Sequence, residues 1–396
     1  MKKFLFCLLC LVLIAVGISV YTDKREIVDV SQANSQRLAF ERTSEPPQEI
    51  TELGSPYKFY FNRLTDLEKR AYNAILSEIY EMPESIEIPR INSEQLDRVF
   101  TALLYDNPDL FFVGRKCTLL TQFFKTNCSI EYIMDKDDYA VKKEELEDVC
   151  SGITASLSNP EDDWQTELEI HNHIVDNCEY KIVESELIYS SAYGALVNGA
   201  AACEGYSKAT KLLFDLAGLE SAVVSGISAD FDGEADAHMW NAVKIYGDYY
   251  YLDCTWDDPV SDDGTSTRVY TYFNLNNEMI SASHSDFYHD FECASTEANY
   301  YIKTGKYFES YDRSDEGKLA EIFAGDLNSG EKVIQVRFGS AEIYEAAVED
   351  LIEDGRIYQV LLMTDKKTDV DFSLKSILYY TDPSQLMLTV IPEIYG

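Results

Sequence analysis

Cys203, His238 and Asp253 bring a thiol, an imidazole and a carboxylate into one stretch of the chain, in that order. Together these groups suit acyl chemistry. A thiolate attacks a carbonyl carbon, an imidazole takes and returns the proton, and a carboxylate fixes the imidazole tautomer and stabilises the imidazolium. Residues 194–202, just before the cysteine, are small and glycine-bearing. After it, Tyr206, Thr210, Leu213/Phe214 and Ala217 recur at helical spacing, and Gly218 supplies a stop. The pattern predicts Cys203 at or near a helix N-terminus. There the macrodipole favours an anion, and first-turn N–H groups can hold a developing oxyanion.

The other two groups need a sheet. Ser221–Ser228, Met239–Tyr246 and Asp248–Trp256 read as strands, with Tyr246-Gly247 at the centre of a hairpin turn. In that register Ile245 faces Asp248 and Asp253 faces Trp240. His238, Trp240 and Asp253 then share one face, with His238 and Asp253 as diagonal neighbours. A slip of one residue would separate them. Tyr193, Tyr206, Trp240 and Trp256 are the candidate walls of a substrate cleft, with packing as the alternative for each. His171 sits on an apolar helix face and reads as structural. Asp257 and Asp258 read as solvated or capping groups. His284 and His289 lie in a polar loop and receive no role. Asp230–Asp236 has some acidic calcium-loop character but lacks the ligand spacing and the closing glutamate, so a mobile acidic loop is expected.

The elements around this stretch are legible in outline. Thr65-x-x-Glu68 is a capping box opening a helix with Leu67, Ala71, Ile75 and Ile79 on one face. Leu96, Val99/Phe100 and Leu103/Leu104 form a second stripe, and Trp164, Leu168, His171 and Val175 a third. Phe111–Val113 and Ser129–Met134 read as strands. From about Phe308 the chain reads as a separate small α+β unit without Cys or His. It has a strand at Lys332–Phe338, a helix capped by Ser340, a strand at Ile357–Met363, and a strand pair turning at Asp382-Pro383-Ser384.

The chain has 396 residues, 46% of them hydrophobic, with 10 prolines and 19 glycines. This excludes collagen-like, low-complexity and mostly disordered classes. A formal net charge of −37 argues against a nucleic-acid partner, which needs clustered Lys and Arg. Lys2-Lys3 followed by the uncharged run Phe4–Tyr21 reads as an export segment, either a cleaved signal peptide or a membrane anchor. It is the chain's one expected membrane contact, and the expected location is extracellular or cell-surface. Residues 23–56 read as a polar tether. Beyond Cys7 and Cys10, Cys117, Cys128, Cys150, Cys178, Cys203, Cys254 and Cys293 remain, an odd number. With Cys203 free, up to three disulfides are open to an exported protein, buried unpaired thiols being the alternative. No CxxC spacing, HExxH or clustered histidine points to a metal, and no cofactor is implied.

Four motifs occur in order: Gly194-Ala195-Leu196-Val197-Asn198-Gly199, Cys203-Glu204-Gly205-Tyr206-Ser207, His238-Met239-Trp240-Asn241 and Asp253-Cys254-Thr255-Trp256-Asp257-Asp258-Pro259. Here the chain resembles the transglutaminase-like superfamily, in particular a bacterial secreted branch related to kyphoscoliosis-type peptidase domains. The resemblance covers about residues 160–275, extends upstream to Asp106–Phe112, and fades after residue 310. It implies an α+β, papain-like core with the cysteine on a helix N-terminus and His and Asp on an antiparallel sheet. It also implies thiol acyl chemistry with Cys203 as nucleophile, His238 as base and Asp253 as orienting acid. Ala201-Ala202 before the nucleophile, Met239 and Cys254 depart from the usual pattern. The expected organisation is an export segment (1–22), a tether (23–56), an N-terminal α+β extension (57–150), the core (151–307) and a C-terminal α+β domain (308–396). The expected partner is a protein or peptide substrate, such as a cell-wall or surface protein. The expected function is that of a cysteine peptidase or amidase. Amine transfer, as in protein cross-linking, is the variant chemistry, and a silent surface-binding scaffold is the alternative.

Overall fold

In the computed structural model the described residues are 24–30, 56–122, 125–183, 186–229, 235–259, 268–287 and 291–395. The expected export segment, the tether beyond residue 30, most of the Asp230–Asp236 loop and His289 lie outside them. None of the described helices is long and apolar enough to cross a membrane.

The fold is mixed α+β, with helices packed on three four-stranded sheets. The first sheet orders its strands Lys24–Asp29, Val113–Thr121, Thr126–Tyr132 and Ile86–Ile88, all antiparallel. Its first strand corrects the reading of residues 23–56 as tether throughout. Lys24–Asp29 pairs along its whole length with Val113–Thr121, burying Val28 while Ile27 stays exposed. The strand expected at Phe111–Val113 starts only at Val113. Phe111 and Phe112 are turn residues buried in the core.

The helix with Ala71 and Ile75 inward runs Asp66–Ile79 and closes its capping box, Thr65 with Glu68. The second stripe becomes Ser93–Asp106, and the third becomes Asp163–Asn177. The charge-rich helix Lys136–Ala155 buries only Leu146, Cys150 and Ile153.

The second sheet carries His238 and the strand leading to Asp253. Its order is His284–Ser285, Ser221–Ala229, Ala235–Ile245 and Asp248–Leu252, again antiparallel. Ile245 pairs with Asp248, the register anticipated for the hairpin. Tyr246 and Gly247 both take positive φ (53° and 99°), as a two-residue turn of this hand requires. The helix Cys203–Ala217 packs against this sheet and against Asp163–Asn177. Leu213, Phe214 and Ala209 on its inner face are fully buried. Burying side chains such as Leu213 and Phe214 contributes about 1.5–3 kcal/mol each. Gly218 ends the helix in the left-handed region at φ 84°. Asn241 of the sheet donates through Nδ2 to the Ser207 carbonyl (2.9 Å), tying helix to strand close to both Cys203 and His238.

The large core runs from Val28 to Tyr301 and takes in Met387 of the C-terminal stretch, so residues of the 57–150 stretch, such as Tyr72 and Phe100, pack in one cluster with Ile170 and Phe214. A second cluster, including Trp240, Tyr251 and Phe287, is built around the same central strands.

The third sheet belongs to the C-terminal stretch. Tyr307–Phe308 pairs in parallel with Ile334–Phe338, which continues antiparallel to Met387–Ile394 and then Phe372–Asp382. Its cluster, from Phe308 to Val390, is separate from the other two. Ile357–Met363 corrects another expectation. It is helical (Ile357–Thr364), with Ile357, Val360 and Leu361 inward at helical spacing. A short apolar run does not distinguish strand from helix by itself.

Candidate active site

Cys203 is the first residue of its helix. Ala202 precedes it as N-cap (φ −81°, ψ 173°) and makes no side-chain cap bond, so no cap side chain competes for the first-turn N–H groups. Glu204, the acid of that first turn, faces other partners. Its carboxylate binds Arg115 Nη2 (2.5 Å) and Lys208 Nζ (2.8 Å). Burial pushes the Glu204 carboxyl up, but these two cations outweigh burial and hold it below its usual range.

His238 lies in the Ala235–Ile245 strand, nearly buried, with the Cys203 thiol in hydrogen-bonding contact. Its Nε2 is 2.6 Å from Asp253 Oδ2, which leaves Nδ1 for the thiol. Burial opposes charge on the imidazole. The Asp253 carboxylate and its hydrogen bond, with Cys203 adding to them, overcome burial and raise the His238 pKa to about 10. Asp253 is fully buried, which opposes its charge. His238 and then His284 outweigh this and hold the carboxyl well below its usual range. Its Oδ1 accepts from the backbone N–H groups of Thr255 (3.0 Å) and Trp256 (3.2 Å). Every acceptor direction of the carboxylate is thus used, and its ionised form is favoured.

The cysteine and histidine open onto a cavity of about 480 Å³, whose walls include Arg115, Tyr180, Asp236 and Met239. Beneath His238, Gly226 sits opposite in the neighbouring strand. A Cβ there would come within 2.7 Å of both Trp240 Cη2 and the Ser285 carbonyl, so glycine lets the indole pack under the imidazole.

Of the four expected cleft walls, Tyr193, Tyr206 and Trp240 lie buried in the core. Tyr193, on the short helix Ala192–Leu196, stacks on Phe111 and donates to Glu145 Oε2 (2.5 Å). The Tyr206 hydroxyl lies between Asp258 Oδ2 (2.6 Å) and the Cys178 carbonyl (2.7 Å). Trp240 is buried edge-on to Phe287 and His284. Trp256 packs 5.7 Å from His238 and edge-on to Tyr272, beside the site and not on the cavity wall. Arg115, Tyr180 and Asp236 do line the cavity, and sequence reading missed them. Arg115 comes from the distant Val113–Thr121 strand, which no local pattern around Cys203 could signal.

His171, read as structural, is buried with Nε2 3.1 Å from Asp257 Oδ2. Burial pushes the Asp257 carboxyl up to about 6 despite this partner. Asp257 is therefore a buried pair member and not the solvated group expected. His284, left without a role, brings Nε2 to 3.1 Å from Asp253 Oδ2. Ligand atoms of His238, Asp253 and His284 lie within 4.8 Å of one another, the one such cluster among the described residues. Asp253 Oδ2 accepts from both imidazoles, so an ion here would have to replace those hydrogen bonds. All seven cysteines of the described residues are free thiols, six of them buried. The disulfide alternative therefore gives way to the buried-thiol one, and Cys254 has Thr210 Oγ1 at 3.5 Å as its neighbour.

Residues 147–254 match the family model described as Transglutaminase-like superfamily. No curated protein matches the chain. Among solved structures it is similar to a TGase at 12% identity, covering 37% of this chain and 46% of that one, with a TM-score of 0.25. A candidate cysteine protease of Cytophaga hutchinsonii aligns at 14% identity over 35% of this chain and 53% of that one, TM-score 0.24. A candidate protease of Parabacteroides distasonis aligns at 15% identity over 37% and 33%, TM-score 0.21. The chain thus spans about half the length of the first two. The match to the family model spans Cys203, His238 and Asp253, and over residues 147–254 the chain is similar to the transglutaminase-like superfamily.

Proposed function

We propose that the protein is an exported thiol enzyme that cleaves peptide or protein amides, a cysteine peptidase or amidase. One observation carries this reading. Cys203 begins a helix in contact with His238, which is bonded to a buried Asp253 at 2.6 Å, and both Cys203 and His238 face one cavity.

In this mechanism His238 holds the proton of Cys203, and the sulfur attacks the amide carbonyl carbon. The tetrahedral oxyanion is met by first-turn N–H groups of the helix. As the C–N bond breaks, His238 returns the proton to the leaving amine. Water, deprotonated by His238, then attacks the thioester, releasing the acid and the thiol. Asp253 stabilises the imidazolium throughout. Arg115 and Asp236 give the cavity charges of both signs, which suits a polar peptide backbone better than an apolar ligand. Export rests on residues 1–22, and a cell-surface or extracellular protein substrate is the matching partner.

Cys203→Ala tests the reading against amide substrates. Loss of turnover by roughly 10⁴-fold or more is expected for removal of a nucleophile. Undiminished activity contradicts catalysis at this site and favours the scaffold. Product that joins an added amine in place of water assigns acyl transfer.

A further inference from the structure

We propose that His284 is a positioning residue that holds Asp253, and that Gln385 of the C-terminal stretch holds His284 in turn through Ser283. This rests on the triad reading above and adds a second imidazole to it.

His284 reaches the site on a two-residue strand paired with Ile227 and Ser228, and it is almost wholly buried. Both of its ring nitrogens are occupied. Nε2 lies 3.1 Å from Asp253 Oδ2 and Nδ1 2.9 Å from Ser283 Oγ. A carboxylate that already binds His238 needs a donor here, so Nε2 carries the proton and Nδ1 accepts from the serine hydroxyl. That assignment makes the ring neutral. Burial, the dominant influence, lowers the His284 pKa in the same sense, with His238 adding to it and Asp253 opposing it. The titratable groups facing the ring are Asp253, His238 and Tyr272. Trp240 at 4.6 Å and Trp256 at 5.0 Å pack aromatic rings against the imidazole.

The chain of contacts continues. Gln385 Nε2 lies 3.3 Å from Ser283 Oγ and 3.4 Å from the Met279 carbonyl. Gln385 is pinned from behind by Arg337, whose Nε donates to the Gln385 carbonyl (3.1 Å) and whose Nη2 donates to Oε1. Both residues belong to the C-terminal sheet and its turn. Asp253 therefore has two imidazole donors on Oδ2 and two backbone donors on Oδ1. Removing His284 frees one side of the carboxylate to rotate, and His238 loses its fixed orientation.

The test uses the full chain and reads the rate of iodoacetamide labelling at Cys203 at pH 6 and pH 9, with thermal melting as the folding control. Wild type should label at similar rates at both. His284→Leu should lose about 10- to 100-fold at pH 6 and much less at pH 9, the size seen when a group orienting a reactive one is removed. His284→Gln, which can offer an amide N–H where Nε2 stood, should recover most of the rate. Gln385→Ala should lose roughly 3-fold at pH 6, as expected one contact further out. Wild type labelling like an ordinary thiol would overturn the triad reading itself. An activated wild type with a folded His284→Leu that labels equally fast would overturn this inference and leave the triad standing. If His284→Leu does not fold, Gln385→Ala decides, and an unchanged rate overturns the inference.

Discussion

The central sheet buries His238, Asp253 and His284 beside Trp240. The C-terminal sheet buries Phe308, Val336, Phe338 and Leu388, with no cysteine or histidine in residues 308–396. Two four-stranded sheets, one antiparallel and one with a single parallel pair, are thus used in two ways. Around Asp253 desolvation is offset by four hydrogen-bond donors, a costly arrangement that holds one ionisation state. Around Phe338 burial is apolar and stabilises outright. The polar groups of the C-terminal stretch gather at its seam with the core. There Gln335 accepts from the Tyr301 hydroxyl (2.7 Å) and Arg337 donates to the Thr271 carbonyl (3.4 Å). Under the proposed function the first group would set reactivity and the second stability, and single substitutions can probe each.

The largest effect is expected at Asp253. Asp253→Asn should lower kcat by about 10³- to 10⁴-fold, because the amide lacks the charge that supports an imidazolium, and should also lower the melting temperature, because its NH2 faces two of the four donors that the carboxylate accepts from. Turnover assays with a melting curve check this, and a rate within tenfold of wild type would break the contrast. Next comes Phe338→Ala, which opens a cavity in the C-terminal cluster and should cost about 3–5 kcal/mol. Denaturant unfolding reads it, and an unchanged midpoint would contradict the apolar account. The smallest effect is expected at Lys125, whose ammonium meets Glu87 at 2.8 Å with both side chains about 60% exposed. Lys125→Ala should barely shift the unfolding midpoint, since solvent screens such pairs. A larger shift would mean that surface charge matters more here than burial.

Cys203 and the hairpin register were legible because each rests on local physics. A helix stop at Gly218, a turn at Tyr246-Gly247 and a period of two are all short-range signals. His284 was not legible. It is carried by a two-residue strand with no periodicity, and only the pairing with Ser228 brings it to Asp253. Arg115 was invisible for the same reason, since another sheet delivers it to the cavity. The strand Lys24–Asp29 escaped notice because one buried side chain, Val28, is all that distinguishes it from a polar linker. Tyr193 and Tyr206 have the composition of a cleft wall, but their hydroxyls find buried partners in Glu145 and Asp258. Composition carries no information on which way a ring points.

The most direct measurement of the central claim is the iodoacetamide rate at Cys203 across pH 5–9, read by peptide mass spectrometry in wild type and in His238→Ala. The His238 pKa, raised to about 10 by Asp253 against the effect of burial, keeps an imidazolium beside the sulfur over this whole range. Wild type should therefore label fast well below the free-thiol pKa of about 8.5, and His238→Ala should lose that fast labelling at the acidic end. A wild-type rate that climbs only as an ordinary thiol ionises, unchanged by the substitution, would contradict an activated Cys203–His238 pair.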